Sequence, residues 1–143
     1  LIANTMLSCM MQKADSLSIV VRRDIVISRD IPVDSYELSM VVANLFDNAL
    51  NCVKNFVERK KFVDVKIRCE EDCLMIHMIN EYEKEIIFDS ETGLPKSRKG
   101  KNHGFGLQGV QAFADKIGGT LGCYCEQDMF HVMLFAKLGT IPK

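Results

Sequence analysis

The sequence has almost no net charge and no long apolar run. Its 143 residues include 18 lysines and arginines and 19 aspartates and glutamates, which leaves a formal net charge of −1. A nucleic-acid-binding domain needs a basic excess to neutralise phosphates, so this balance argues against that class. No stretch approaches the roughly 20 consecutive apolar residues that cross a bilayer. The remaining composition, 48% apolar and 26% charged, is typical of a globular domain and predicts one domain over 1–143.

The six cysteines include no C-x-x-C pair, and the tightest spacing is Cys123-x-Cys125. Without paired ligand knuckles, a structural zinc site is not expected. The chain is too long and too regularly patterned for a small secreted scaffold held together by disulfides. We therefore expect reduced thiols in a cytosolic protein.

Apolar periodicity predicts three helices, and alternating patterns predict the strands. The clearest helix runs from about residue 35 to 60, behind a capping-box pattern formed by Asp34 and Glu37. Gly118 and Gly119 should end the last helix. In chain order, the predicted elements are a helix over 1–16, one or two strands over 17–28, the helix over 35–60, strands over 61–70 and 73–82 joined at Glu71-Asp72, a polar loop over 89–104, a helix over 106–117 and a final hairpin turning at Gln127-Asp128.

Few strand-helix-strand units occur in this order, so a doubly wound parallel sheet is not favoured. The expected fold is an α/β (α+β) two-layer sandwich, with a mixed, mostly antiparallel sheet covered by three helices on one face. The loop over 89–104 is long for a compact domain, and loops of this length are usually functional or disordered.

The stretch "KNHGFGLQGV", 101–110, matches the pattern G-x-G-x-x-G. A dinucleotide site needs a strand running into the first glycine, whereas "LPKSRKGKNH" precedes it. No G-K-[ST] occurs, and no H-R-D or D-F-G comes after it. What remains is a glycine-rich loop leading into a helix N-terminus, which favours an anion. Four basic residues lie just upstream and could close over a polyphosphate, namely Lys96, Arg98, Lys99 and Lys101. The alternative is a solvated loop that binds no ligand.

Four asparagines are spaced along the long helix at intervals of 4, 3 and 4, namely Asn44, Asn48, Asn51 and Asn55. At about 100° per residue they form a stripe roughly 60° wide. Asparagine is a poor helix former, so a merely solvated face would more often carry lysine, glutamate or glutamine. An amide oxygen is a suitable ligand for Mg²⁺ beside a phosphate chain. The alternative is an incidental polar stripe.

Together these two features resemble the ATP-binding domain of the GHKL superfamily, and most closely the catalytic domain of sensor histidine kinases. "VVANLFDNALN", 41–51, is similar to the family's N-box, and "KNHGFGLQGV" is similar to its G-box. "FADKIGGTLGCY", 113–124, resembles the family's segment immediately after the G-box. The resemblance covers nearly the whole chain in order, and it implies the Bergerat-type ATP-binding fold.

The sequence departs from most of the family after the middle strand. The text there is "MINEYEKE", with Asn80 at the position of the adenine-reading aspartate and no glycines behind it. A divergent branch, the quorum-sensing and peptide-sensing kinases, is similar in this respect and in "LPKSRKGKNHGFGL". An amide oxygen can accept a hydrogen bond from the adenine amino group, although more weakly than a carboxylate.

The resemblance implies ATP and Mg²⁺ as ligands, with Asn48 on the metal, Asn44 and Asn51 along the phosphates and Asn80 on adenine. The backbone of Gly104 and Gly106 would bind phosphate. The full set of implied ATP-binding residues is Asn44, Asn48, Asn51, Asn80, Lys99, His103, Gly104, Phe105, Gly106 and Leu107.

The residue at position 44 and the positions of the three histidines indicate which reaction of ATP the chain would support. Hydrolysing relatives have a glutamate at the position of Asn44, and an amide cannot activate water as a base. His77 and His131 are predicted to pack in strands and His103 lies in the G-box, so we expect no phosphoacceptor here. The expected role is the cytoplasmic ATP-binding domain of a larger, membrane-anchored kinase, whose partners are its own dimerisation domain and a response regulator. The alternatives are a degenerate nucleotide-sensing or scaffold module and an anti-sigma-type protein-serine kinase.

Overall fold

A computed structural model describes residues 2–28, 32–56, 61–70, 72–82, 86–95 and 105–139. Within them lie three helices and five strands, in the predicted order. They are α1 (Ile2–Ser16), β1 (Val20–Ile27), α2 (Ser35–Val53), β2 (Phe62–Glu70), β3 (Cys73–Glu81), α3 (Phe105–Lys116), β4 (Thr120–Glu126) and β5 (Met129–Lys137).

The strands form one sheet in the order β1-β2-β3-β5-β4. β1 runs parallel to β2, and the other three pairings are antiparallel. Alternate residues of β2, β3 and β5 are buried, as expected for a sheet that packs on one face. These buried positions join residues of α1, α2 and α3 in a single apolar core. The predicted two-layer sandwich with a mixed, mostly antiparallel sheet is confirmed.

α2 begins where the sequence predicts and ends earlier. The Asp34 side chain caps the helix by accepting a hydrogen bond from the Glu37 N–H at 2.9 Å. The helix ends at Val53, followed by a turn in which the Phe56 N–H bonds to the Val53 carbonyl. The predicted end at residue 60 was therefore wrong. Phe56 is buried and continues the apolar period after the helix has stopped; residues 57–60 lie outside the described part.

The first part of the predicted long loop is an ordered turn. Phe88 and Pro95 form a bridge, and the Asp89 carboxylate accepts hydrogen bonds from the N–H groups of Glu91 and Thr92. Leu94 is buried in the core. The glycine-rich and basic remainder, 96–104, lies outside the described residues. It includes Lys99, His103 and Gly104.

The two glycines after α3 confirm the predicted helix end. Gly118 has a φ of +73°, a left-handed conformation that glycine adopts without strain. Gly119 bonds back to the Ala114 carbonyl and lies directly against β5. A Cβ at Gly119 would stand 2.7 Å from the Phe135 carbonyl oxygen and 2.8 Å from the Ala136 Cβ. The end of α3 therefore approaches the sheet too closely for any side chain.

Gly119→Ala is expected to lower the free energy of unfolding by about 2 kcal/mol, because the clash is with backbone that cannot move aside cheaply. Urea denaturation would measure it. Gly122→Ala is the matched control, since a Cβ there meets nothing within 4 Å. Equal stability of the two variants would contradict the close approach.

Candidate functional site

α2 and α3 pack side by side and run in opposite directions. At one end, the Lys116 ammonium of α3 forms an ion pair with the Glu37 carboxylate of α2 at 2.5 Å. Between the helices lies an open cleft of about 300 Å³, which reaches along α2 as far as Asn44 and along α3 as far as Gly109. A step of seven residues along α2, from 37 to 44, thus corresponds to a step of seven residues along α3, from 116 back to 109. Asn48 is one helical turn beyond Asn44 on α2, and the first turn of α3 is one helical turn before Gly109.

The first turn of a helix carries backbone N–H groups without intrahelical partners and the positive end of the helix dipole. α3 starts at Phe105, so Phe105, Gly106 and Leu107 supply this turn. Leu107 is buried among core residues, so only its backbone can face a ligand. A helix N-terminus of this kind is a suitable position for a phosphate group.

The asparagines of α2 differ in their surroundings. Asn44 and Asn48 are half-buried, and Asn44 lines the cleft. Asn51 is exposed on the last turn of the helix. Asn55 lies in the turn beyond Val53, so the predicted stripe of four has only three members on the helix. The predicted number of asparagines on the helix was too high because α2 ends earlier than predicted.

Asn80 is the buried polar residue at the end of β3, with 2% of its surface exposed. It is on the sheet face that packs against the helices, and its Nδ2 donates a hydrogen bond to the Glu81 carbonyl at 2.9 Å. Desolvation raises the pKa of the Cys52 thiol on α2, although Cys52 as a whole is exposed, and the Asn80 side chain opposes the rise.

Cys52 was missed by the sequence analysis. It lies four residues after Asn48, hence on the same side of α2 one turn later. That spacing is the signal that could have found it. Asn44, Asn48 and Cys52 thus succeed one another along about 12 Å of helix.

The carboxylate that precedes Asn48 in the sequence already forms an ion pair. The Asp47 carboxylate forms an ion pair with the Lys13 ammonium of α1 at 2.9 Å. No group of three histidine, cysteine, aspartate or glutamate side chains is arranged to hold a metal in the described ranges. Mg²⁺ in phosphate sites usually takes one or two protein oxygens, with phosphate and water completing its shell. The half-buried amide of Asn48 could supply one such oxygen.

Residues 33–136 match the family described as GHKL domain. This match spans more than half of the chain. The chain belongs to the GHKL family. No protein with a curated description matches it.

Solved structures similar to this GHKL domain share its fold. The Acinetobacter baumannii histidine kinase AdeS superposes with a TM-score of 0.70 at 16% identity, over 97% of this chain and 64% of that one. The chain therefore spans less than two thirds of AdeS. Two nucleotide-free structures of the catalytic domain of histidine kinase ThkA superpose with TM-scores of 0.66 and 0.67, at 14% and 15% identity. Each comparison covers 95% of this chain, and 90% or 91% of ThkA.

Two histidines of the GHKL domain lie in strands, as predicted. The His77 Nε2 and the His131 Nδ1 are 2.9 Å apart, and the Tyr124 ring stacks on His131 with centroids 4.5 Å apart. In β3 and β5 they alternate with the buried residues that face the helices, so they are on the opposite face of the sheet. Burial, and then the charge of His131, lower the pKa of His77. This pair is therefore separate from the Asn48 site.

None of the helices in the described residues is long and apolar enough to cross a membrane.

Proposed function

We propose that this GHKL domain is the catalytic domain of a sensor histidine kinase. It would bind Mg-ATP along α2 and donate the γ-phosphate to a histidine on a dimerisation domain outside these 143 residues. The observation that carries the proposal is the cleft between α2 and α3, which is lined by Asn44 and Gly109, each one helical turn from Asn48 and from the first turn of α3 respectively. The likeness to AdeS and ThkA, both named histidine kinases, supports it.

The nucleotide would lie with its triphosphate near Asn44 and Asn48 and its base near Asn80. Asn48 would hold Mg²⁺ through its amide oxygen, and the ion supplies charge neutralisation on the phosphates. The backbone N–H groups of Phe105 and Gly106 would bind phosphate oxygens, and Asn51 would lie along the same chain of phosphates. Lys99, His103 and Gly104 would complete the site from residues outside the described part.

The amide at position 44 favours transfer of the γ-phosphate to another group over hydrolysis of ATP. Its amide lines the cleft that opens beside the phosphate position, where a carboxylate would be needed to activate water. Transfer to an imidazole requires positioning and charge neutralisation more than a local base. A dimerisation domain that brings its histidine to this cleft is the partner we propose, and a response regulator would receive the phosphate in turn.

The departure after β3 supports the divergent, peptide-sensing branch. Asn80 takes the place of the adenine-reading carboxylate, and it is buried on the helix side of the sheet. We propose that the domain acts on the cytoplasmic side of the membrane, where ATP and a response regulator are available.

Calorimetric titration tests the nucleotide site directly. We expect ATP to bind at least about tenfold more tightly with Mg²⁺ than with a chelator, because the ion and Asn48 act together on the phosphates. AMP, which lacks the β- and γ-phosphates, should bind with the same affinity in both conditions and serves as the control. Failure to bind ATP at millimolar concentration would refute the proposal.

A further inference from the structure

Two histidine rings meet on the sheet face that points away from the helices. The His77 Nε2 of β3 and the His131 Nδ1 of β5 are 2.9 Å apart, with ring centroids 5.1 Å apart and planes tilted by 31°. At this distance one nitrogen carries a hydrogen and the other accepts it, because two lone pairs or two N–H groups facing each other would repel. The Tyr124 ring of β4 lies nearly parallel to His131, with an interplanar angle of 10°. A hydrogen bond therefore joins β3 to β5, and a ring stack continues the contact to β4.

The hydrogen bond allows the pair one added proton and opposes a second. In the neutral pair, the accepting ring already carries a hydrogen on its outer nitrogen, so its free nitrogen is the one inside the bond. A first added proton can bind to the outer nitrogen of the donor ring, and the contact becomes a charge-assisted hydrogen bond from imidazolium to imidazole. A second proton has to bind to the shared nitrogen. Two N–H groups and two positive charges would then face each other, so the rings have to separate.

Titratable and charged groups of both signs surround the pair on this face. By register and alternation in the described strands, they are Asp64, Lys66 and Arg68 of β2, Glu81 of β3, and Tyr124 and Glu126 of β4. Burial is the largest influence on His77 and lowers its pKa, and the charge of His131 lowers this pKa further. Asp64 raises the pKa of His77, whereas Lys66, directly opposite in the register, lowers it. The surroundings therefore do not compensate for the repulsion that a second proton brings.

We propose that the His77–His131 pair is an acid-sensitive contact, which joins β3 to β5 while it holds at most one added proton and separates when it binds a second. The proposal does not depend on the proposed function, because the pair is on the sheet face opposite Asn80 and the helices. It gives the sheet a stability that depends on pH in the range in which histidines titrate.

The direction of the pH dependence comes from the lowered pKa of His77. An unfolded chain protonates this side chain near the usual histidine pKa of about 6.5, whereas the folded chain does so only at lower pH. In the window below about pH 6.5, the unfolded state thus holds more protons than the folded state. The contribution of the pair to stability is therefore fully present above that pH, and it is lost as the pH falls through the window.

Proton NMR of the histidine rings tests the shared proton without any substitution. His77 and His131 should titrate together in two steps separated by more than about one pH unit, because each ring senses the charge of the other. In His131→Phe, which keeps an aromatic ring against Tyr124, His77 should titrate in a single step. Two independent single steps in the wild-type chain, with the midpoint of His77 unchanged in His131→Phe, would overturn the proposal.

A double-mutant cycle measures the strength of the contact itself. Wild type, His77→Phe, His131→Phe and the double variant would each be unfolded with urea at about pH 7.5 and at about pH 5, on either side of the window. At the higher pH, the two histidines together should favour folding by roughly three- to tenfold more than their separate effects predict, the size of one hydrogen bond. At the lower pH, this coupling should disappear or reverse.

Tyr124→Phe is the matched control for the cycle. It keeps a ring stacked on His131 and removes only the hydroxyl, so the pH dependence of its stability should equal that of wild type. A coupling between His77 and His131 of equal size at both pH values would show a packing contact that protons do not affect, and would overturn the proposal.

Discussion

Mixed with Mg-ATP and a dimerisation domain from the same polypeptide, this chain should phosphorylate a histidine at least about a hundredfold faster than it hydrolyses ATP alone. The expected difference comes from positioning, since the isolated chain has the nucleotide but no placed nucleophile. Asn44 has no basic group with which to activate water in its place. Acid-labile labelling of the dimerisation domain, measured beside phosphate release by the chain alone, gives both rates.

Two variants sharpen this comparison. A dimerisation domain with its acceptor histidine replaced by glutamine should remain unlabelled, which controls for transfer to other residues. Asn44→Glu should raise hydrolysis by the isolated chain, because it restores a base at the position where hydrolysing relatives have one. Vigorous hydrolysis by the unmodified chain would contradict the assignment of Asn44.

The remaining outcomes separate the alternative functions. Tight ATP binding without transfer to the acceptor would favour a degenerate regulatory module. Acid-stable label on a partner's serine would favour the anti-sigma-type kinase. Each of these results would replace the histidine kinase proposal while leaving the nucleotide site in place.

Asn48→Ala should weaken the binding of Mg-ATP by roughly tenfold or more, and should leave the binding of metal-free ADP almost unchanged. Asn48 is the proposed protein ligand to Mg²⁺, so its loss matters only when the ion is present. Calorimetry with each nucleotide, with and without a chelator, measures the difference.

Asn55→Ala is the matched control for this prediction. It removes the same amide from the turn just beyond α2, where the residue is exposed. Its affinities should equal those of wild type. Equal losses for Mg-ATP and metal-free ADP in Asn48→Ala would point to a folding defect and count against a metal ligand.

Local signals predicted most of the fold. The Asp34 cap, the glycines after α3 and the alternating burial of β2 depend on neighbours in sequence, and all three are confirmed. The end of α2 was mispredicted because Phe56 is buried by a turn that brings it back to the core, and periodicity cannot distinguish that from another helical turn. At this position tertiary packing, and not the apolar periodicity of the sequence, determines where the helix ends.

Only part of the candidate site could be predicted from the sequence. Asn48 and the glycine-rich stretch could be named from their residue types, and they remain predictions as site residues. The packing of α2 against α3, seen in the Lys116–Glu37 ion pair and in the cleft between Asn44 and Gly109, is encoded by no local pattern. The burial of Asn80 at the end of β3 likewise depends on the packing of α2 against that strand. Such contacts require the assembled fold.

α2 carries core residues on one side and the site asparagines on the other, with the two sets interleaved along the chain. Phe46 and Leu50 are almost fully buried, while Asn48 between them is only half-buried. A single residue inserted or deleted within the helix would turn everything beyond it by about 100°. The core and the proposed phosphate position would then be misplaced together. Over evolution, the segment from 35 to 53 should therefore accept exchanges of side chain far more readily than changes of length.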